Sequence, residues 1–116
     1  MKIVDRDNPV TAGELSEMAG KMFGGMVKAV VDVKREIMAV DAEMHADEEQ
    51  ELLEAGSKQA DLWGINLHPA FFATDDFVEF DSMINIRPVQ ENLSRGVEDE
   101  LLRAKIVRVV GDLVRA

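Results

Sequence analysis

The chain has 116 residues, no cysteine, 47% apolar residues and a formal net charge of −10 from 23 acidic and 13 basic side chains. That length fits a single domain, residues 1–116, built on one core; the missing cysteines exclude disulfides, thiolate metal sites and cysteine nucleophiles; and the acidic field opposes nucleic acid and anionic membranes as partners. Met1-Lys2-Ile3-Val4-Asp5-Arg6-Asp7 carries charge where a secretory signal needs an apolar run, and no stretch approaches the ~18 apolar residues of a membrane span, so a cytoplasmic protein is expected.

Residues 2–4 read as a short edge strand ended by the turn Asp7-Asn8-Pro9. Thr11 with Glu14 three residues later matches a capping box, and Leu15, Met18, Ala19 and Met22 follow at helical spacing, so a first helix is predicted over residues 12–23 and Gly24-Gly25 should end it. The valine-rich stretch 26–33 and the apolar stretch 37–44, separated by Lys34-Arg35-Glu36, read as a β-hairpin. Its second strand is predicted to run on to His45, with Met38, Val40, Ala42 and Met44 on one side and Asp41, Glu43 and His45 on the other. Asp47 should then cap a helix over residues 48–55 that stops at Gly56.

Residues 62–67 form the next predicted strand, with Trp63, Ile65 and Leu67 alternating against Gly64, Asn66 and His68. A loop carrying Phe71 and Phe72 leads to the longest predicted strand, residues 77–87, apolar at Val78, Phe80, Ile84 and Ile86 and polar at Glu79, Asp81, Asn85 and Arg87. Pro88 closes it. The last helix begins near Val97 with acids in its first turn, bases beyond, and a buried stripe of Leu102, Ile106, Val109 and Leu113. The expected fold is α+β: an antiparallel sheet of four to five strands, three helices packed mainly on one face, in the order βαββαββα.

Two groups of side chains could carry chemistry. On the polar sheet face, His45 with Glu43 and Asp81 offers imidazole and carboxylates to a divalent metal, the one cofactor the sequence suggests. The same residues serve equally an antiparallel sheet that wets its second face, and that reading is preferred. Ahead of the last helix, Arg87, Asn92, Ser94 and Arg95 could line an anion pocket, because arginine offers a fork matched to phosphate or carboxylate. Against this, Asn92 and Ser94 are ordinary turn and cap residues, and acids stand close by. His68, the lone Trp63 and the methionines read as packing, whereas two adjacent rings at Phe71 and Phe72 cannot both turn inward easily, so one of them could mark a partner surface. No nucleophile–base pair, phosphate loop or dinucleotide fingerprint occurs.

Several segments taken together, Val27-Lys28-Ala29-Val30-Val31-Asp32-Val33, Glu43-Met44-His45-Ala46-Asp47-Glu48-Glu49, Leu62-Trp63-Gly64-Ile65-Asn66-Leu67, Glu79 through Pro88, and Asn92-Leu93-Ser94-Arg95-Gly96-Val97, resemble a family of small prokaryotic proteins catalogued as a domain of unknown function. The resemblance spans about residues 26–107 and implies no activity and no site residues. It departs from the pattern at His68, where tyrosine is more usual.

The expectation is therefore a non-enzymatic module that binds a protein partner or self-associates into a homo-oligomer through a sheet edge, a sheet face or the Phe71-Phe72 loop. The alternative is a small metal-dependent or anion-binding enzyme on the polar sheet face.

Overall fold

The computed structural model of the chain describes residues 1–22 and 24–116. The predicted edge strand forms as β1 (Lys2–Val4); a second short strand, β2 (Val10–Thr11), leads into α1 (Ala12–Gly20). The capping box is present. Thr11 Oγ1 accepts from the Glu14 amide at 3.0 Å, and Glu14 Oε1 accepts from the Thr11 amide at 3.1 Å, so two amides without an intrahelical acceptor are satisfied. The helix stops at Gly20, with Lys21 as its C-cap, short of the predicted end at Phe23, a residue that itself lies outside those described. Gly24 and Gly25 take φ of 90° and 67°, the left-handed turn expected of that pair.

The hairpin forms as β3 (Val27–Asp32) against β4 (Ile37–Val40). β4 stops well short of the predicted His45, because Asp41 adopts a φ of 70° that no strand accommodates and that aspartate tolerates better than most residues. His45 instead opens α2 (His45–Glu54), and Asp47, predicted as its cap, falls in the first turn, where its charge still opposes the helix dipole. β5 (Leu62–Leu67) spans the predicted residues.

The long strand predicted over residues 77–87 is not one. Only β6 (Val78–Glu79) pairs with β5; from Phe80 the chain leaves the sheet edge, turns across the face of β5 and makes a 3₁₀ turn at Met83–Asn85. Gly64 permits the crossing, since a Cβ built there would lie 2.6 Å from the Cβ of Ser82. Alternating polarity arose here from a chain that switches faces: Val78 and Phe80 pack on the main core, Ile84 on the opposite face. α3 (Glu100–Leu113), capped by Asp99, and β7 (Val114–Arg115) complete the chain.

The five-stranded sheet runs β1-β4-β3-β5-β6 and is antiparallel throughout, in keeping with the α+β expectation. β2 and β7 pair in parallel and tie the start of α1 to the end of α3. Val27, Ala29 and Val31 of the central strand, with Met38, Val40, Trp63, Ile65 and Leu67, form one sheet face, and Leu15 of α1 and Ile106, Val109 and Leu113 of α3 cover it. The opposite face has a smaller apolar cluster, Val30, Ala39 and Leu62 beneath Leu52 of α2. The second face, expected to be wet, is thus covered by a helix and by the chain crossing over Gly64. Among the described residues no helix is long and apolar enough to cross a membrane.

Candidate functional site

Where β6 ends, β5 would be left with an unpaired edge, and a side chain takes the place of the missing strand. The Asn85 amide lies against Gly64, accepting from its N–H at 2.8 Å and donating to its C=O at 2.9 Å, and donates again to Arg95 O at 3.0 Å. Asn92 holds the other side of the loop: its Nδ2 donates to Asn85 O at 2.7 Å and Gly96 O at 2.8 Å, and its Oδ1 accepts from the Glu98 amide at 2.9 Å. Both asparagines are buried. An irregular segment can be rigid only if its backbone groups find partners, and these two amides supply them.

Arg87 braces the same loop. Its guanidinium donates to the carbonyls of Ile84 at 2.9 Å, Gln59 at 2.8 Å and Leu62, to Gln90 Oε1 at 3.2 Å, and lies 4.5 Å above the Trp63 ring. The Glu49 carboxylate is 3.8 Å away, an ion pair without a hydrogen bond. Ser94 stands exposed, with its amide bonded to Glu98 Oε2 at 2.9 Å. Of the four residues predicted to hold an anion, Arg87 and Asn92 are therefore consumed in building the loop, and the Ser94 amide is taken by Glu98. Arg95 alone remains available.

Arg95 reaches a cleft of about 190 Å³ between the start of α2 and the loop, lined by Lys28, Glu43, His45, Ser82 and Arg95 among others. His45 is 8% exposed, and its Nε2 lies 2.7 Å from Ile65 O. A carbonyl can only accept, so Nε2 carries the proton and Nδ1 of the neutral ring is an acceptor. Burial holds His45 below the ordinary histidine range; the Ile65 bond opposes this, Lys28 adds to it, and Asp81 and Arg95 act in smaller, opposite senses. Asp81 accepts from Arg95 Nε at 2.5 Å and so fixes the guanidinium at the cleft. Lys28 projects from the central strand and makes no hydrogen bond or ion pair with any described residue.

The predicted metal set does not close. His45 Nε2 is taken by a carbonyl, Asp81 is taken by Arg95, Glu43 is exposed at the mouth, and among the described residues no three of His, Asp and Glu come together to hold an ion. Glu43, His45 and Arg95 do share the cleft, although by a route other than the predicted strand: the turn at Asp41 and the start of α2 bring the first two there. Sequence reasoning missed Lys28. Its signal was present, a single lysine within the otherwise apolar run of a central strand.

Beneath α2, Glu48 is fully buried on the sheet; its Oε2 accepts from the Ala42 amide at 3.2 Å, and its Oε1 has no partner among the described residues. Burial pushes its pKa up to about 9, so the side chain is neutral near pH 7. Asn66, beside Lys28 in the strand register, donates to Glu79 at 3.0 Å and to Asp81 O at 3.2 Å. His68, read from the sequence as a packed or hydrogen-bonded residue rather than a base, pairs with Glu79 at 3.2 Å. The two rings predicted to diverge do so: Phe72 packs edge-to-face on Phe77 at 5.3 Å, while Phe71 is exposed.

No curated protein and no solved structure matches the chain. A family described as "Protein of unknown function (DUF5674)" matches residues 2–113, more of the chain than the resemblance over residues 26–107 covered, and the chain belongs to that family.

Proposed function

We propose that the chain is a non-enzymatic protein-binding module that docks a partner on the outside of the 82–96 loop. The observation that carries this reading is the division of labour within the loop. Asn85, Arg87 and Asn92 point inward and spend their polar groups on backbone, while Met83, Ile86, Val89 and Leu93 point outward, Val89 at 98% and Leu93 at 69% exposure. Large apolar side chains on a rigid irregular segment are a favourable docking surface, because binding them costs little further ordering. The exposed Phe71 ring supports the same class of function less directly, whereas the sheet edges offer little, since β1 has three residues and the β5 edge beyond β6 is filled by Asn85. The net charge of −10, with Glu91 in the loop and Glu98 bonded to its Leu93 and Ser94 amides, suits a partner with an apolar surface rimmed by basic residues.

The test compares the immobilised chain with Val89→Asp/Leu93→Asp and with Leu101→Asp, which alters an equally exposed residue on α3. A cellular protein retained by the unmodified chain and by Leu101→Asp, released by salt and lost with the loop pair, is the expected result. Equal retention on all three overturns the docking surface. A light-scattering mass that doubles with concentration, and only when the loop is intact, would make the partner a second copy.

The alternative, a small enzyme on the polar sheet face, is favoured by one observation, the unpaired Lys28 beside His45.

A further inference from the structure

The cleft at the start of α2 brings together features that the docking surface does not use. Lys28 stands on the central strand, where a lysine is costly to keep, yet no described acid lies within ion-pairing distance of it. Arg95 is tied by Nε to Asp81, which leaves its two terminal nitrogens without partners among the described residues. Two cations therefore face the same small space, one of them pre-oriented. A structural lysine or arginine in an acidic chain would be expected to pair, as Arg6, Lys105 and Arg108 do with Glu36. His45 forms the third wall. Its ring is held by Ile65 O in the tautomer that turns an acceptor, Nδ1, away from that bond, so in the neutral state it asks for a donor rather than for a second anion.

We propose that this cleft binds a small oxyanion that also carries a hydroxyl group, such as hydrogen phosphate or a 2-hydroxycarboxylate, with Lys28 and Arg95 neutralising the charge and His45 Nδ1 accepting the hydroxyl proton. Cations alone would take any anion; the fixed imidazole selects among them, since a site built to bond a hydroxyl rejects the analogue that lacks one. α2 begins without a side-chain cap, so its first amides add positive potential at the same place. Glu43 is exposed at the mouth, where solvent screens it, and marks the opening to an adjoining cavity of about 450 Å³ that shares Lys28 and is lined also by Met22, Met26 and Ala42. The charged groups that bear on the protonation of His45 are Lys28 from β3, Asp81 just ahead of the loop and Arg95 within it; Glu43 and Asp47 stand two residues away on either side in sequence. When the ring protonates, Nδ1 becomes a donor and the requirement for a hydroxyl disappears.

The experiment is a titration of the whole chain, followed by amide and side-chain NMR, with inorganic phosphate, glycolate and acetate at matched ionic strength. At about pH 8, where the imidazole is neutral, phosphate and glycolate should give saturable shifts at Lys28, His45 and Arg95, with acetate about tenfold weaker. Glycolate and acetate should converge as the pH is lowered through the titration of His45. Lys28→Met and Arg95→Gln should each weaken phosphate binding by about tenfold; Arg95 is exposed, so its substitution tests the site without endangering the fold. Absence of saturable shifts, acetate equal to glycolate at the higher pH, or Arg95→Gln with unchanged phosphate affinity would overturn the proposal. Binding of phosphate without glycolate would narrow the ligand to phosphate, and glycolate without phosphate to the hydroxy acid.

Discussion

The two faces of the sheet are built on different principles. Beneath α1 and α3 the interior is apolar, with Leu15, Ile106, Val109 and Leu113 packed on valines and isoleucine of the strands. Beneath α2 and the 82–96 loop the apolar cluster is small, and Asp32, His45, Glu48, Asn66, Ser82, Asn85 and Asn92 are all buried. The first face is held by burial, which is non-directional and tolerant of detail. The second is held by directional bonds, each of which leaves an unsatisfied group behind if broken. Asp32 shows how far this goes: its carboxylate accepts from the Lys34 and Arg35 amides, both at 2.9 Å, and from Ser57 Oγ at 2.6 Å, closing the β3–β4 turn against the end of α2. A face organised in this way can hold side chains in fixed orientations, and the cleft and the docking loop both lie there.

The contrast is most directly broken by substitution of one residue on each side. Asn85→Ala strands the N–H and C=O of Gly64, while the Arg95 carbonyl keeps its bond from the Ser82 amide at 2.9 Å; unmet buried groups cost about 1–3 kcal/mol each, so a loss of about 4 kcal/mol is expected by urea denaturation. Ile106→Ala on the apolar face should cost about 2–5 kcal/mol. If Asn85→Ala costs no more than a surface change, the second face is not held by its polar network.

Glu48 sharpens the comparison through pH. Its folded pKa, about 9, lies above the ordinary 4.5, so the folded chain keeps a proton that the unfolded chain releases. The associated stability is fully present below about pH 4.5 and is lost as pH rises through about 9. Glu48→Gln keeps the shape and removes the proton linkage; it should match the parent in acid and exceed it by about 3 kcal/mol near pH 7, with the gap widening until about pH 9. A pH-independent difference in urea midpoints would show that the carboxyl is ionised in the fold. The opposite linkage operates at Glu36, whose bonds to Lys105 and Arg108 lower its pKa to about 2; that contribution is present above the ordinary range and fades as pH falls toward 2.

The smallest effect belongs to the apolar side. Thr11→Ala removes the capping box of α1 and should cost about 1 kcal/mol in a thermal or urea melt, because a single part-buried helix-end amide, that of Glu14, loses its partner. A cost as large as that of Asn85→Ala would erase the distinction between the two faces.

The sequence by itself determined the elements whose causes are local. The alternation of residues 62–67, the valine-rich hairpin, the Thr11–Glu14 box and the stripe of α3 are set by side-chain period and by capping within one turn, and all of them formed. It also brought His45, Glu43 and Arg95 under suspicion, the first two by way of a strand that stops at Val40 and the third as part of an anion pocket whose other members build the loop. Where the chain went after Asp41 and after Phe80 was decided by tertiary contacts. Gly64 admits Ser82 against the sheet, and the Asn85 amide replaces a strand at a residue 21 positions away, so a segment with strand periodicity satisfies its backbone without pairing. Period-two polarity records which side of a surface each residue meets. It does not record whether the chain runs along that surface or over it, and that choice was made by bonds between residues remote in sequence.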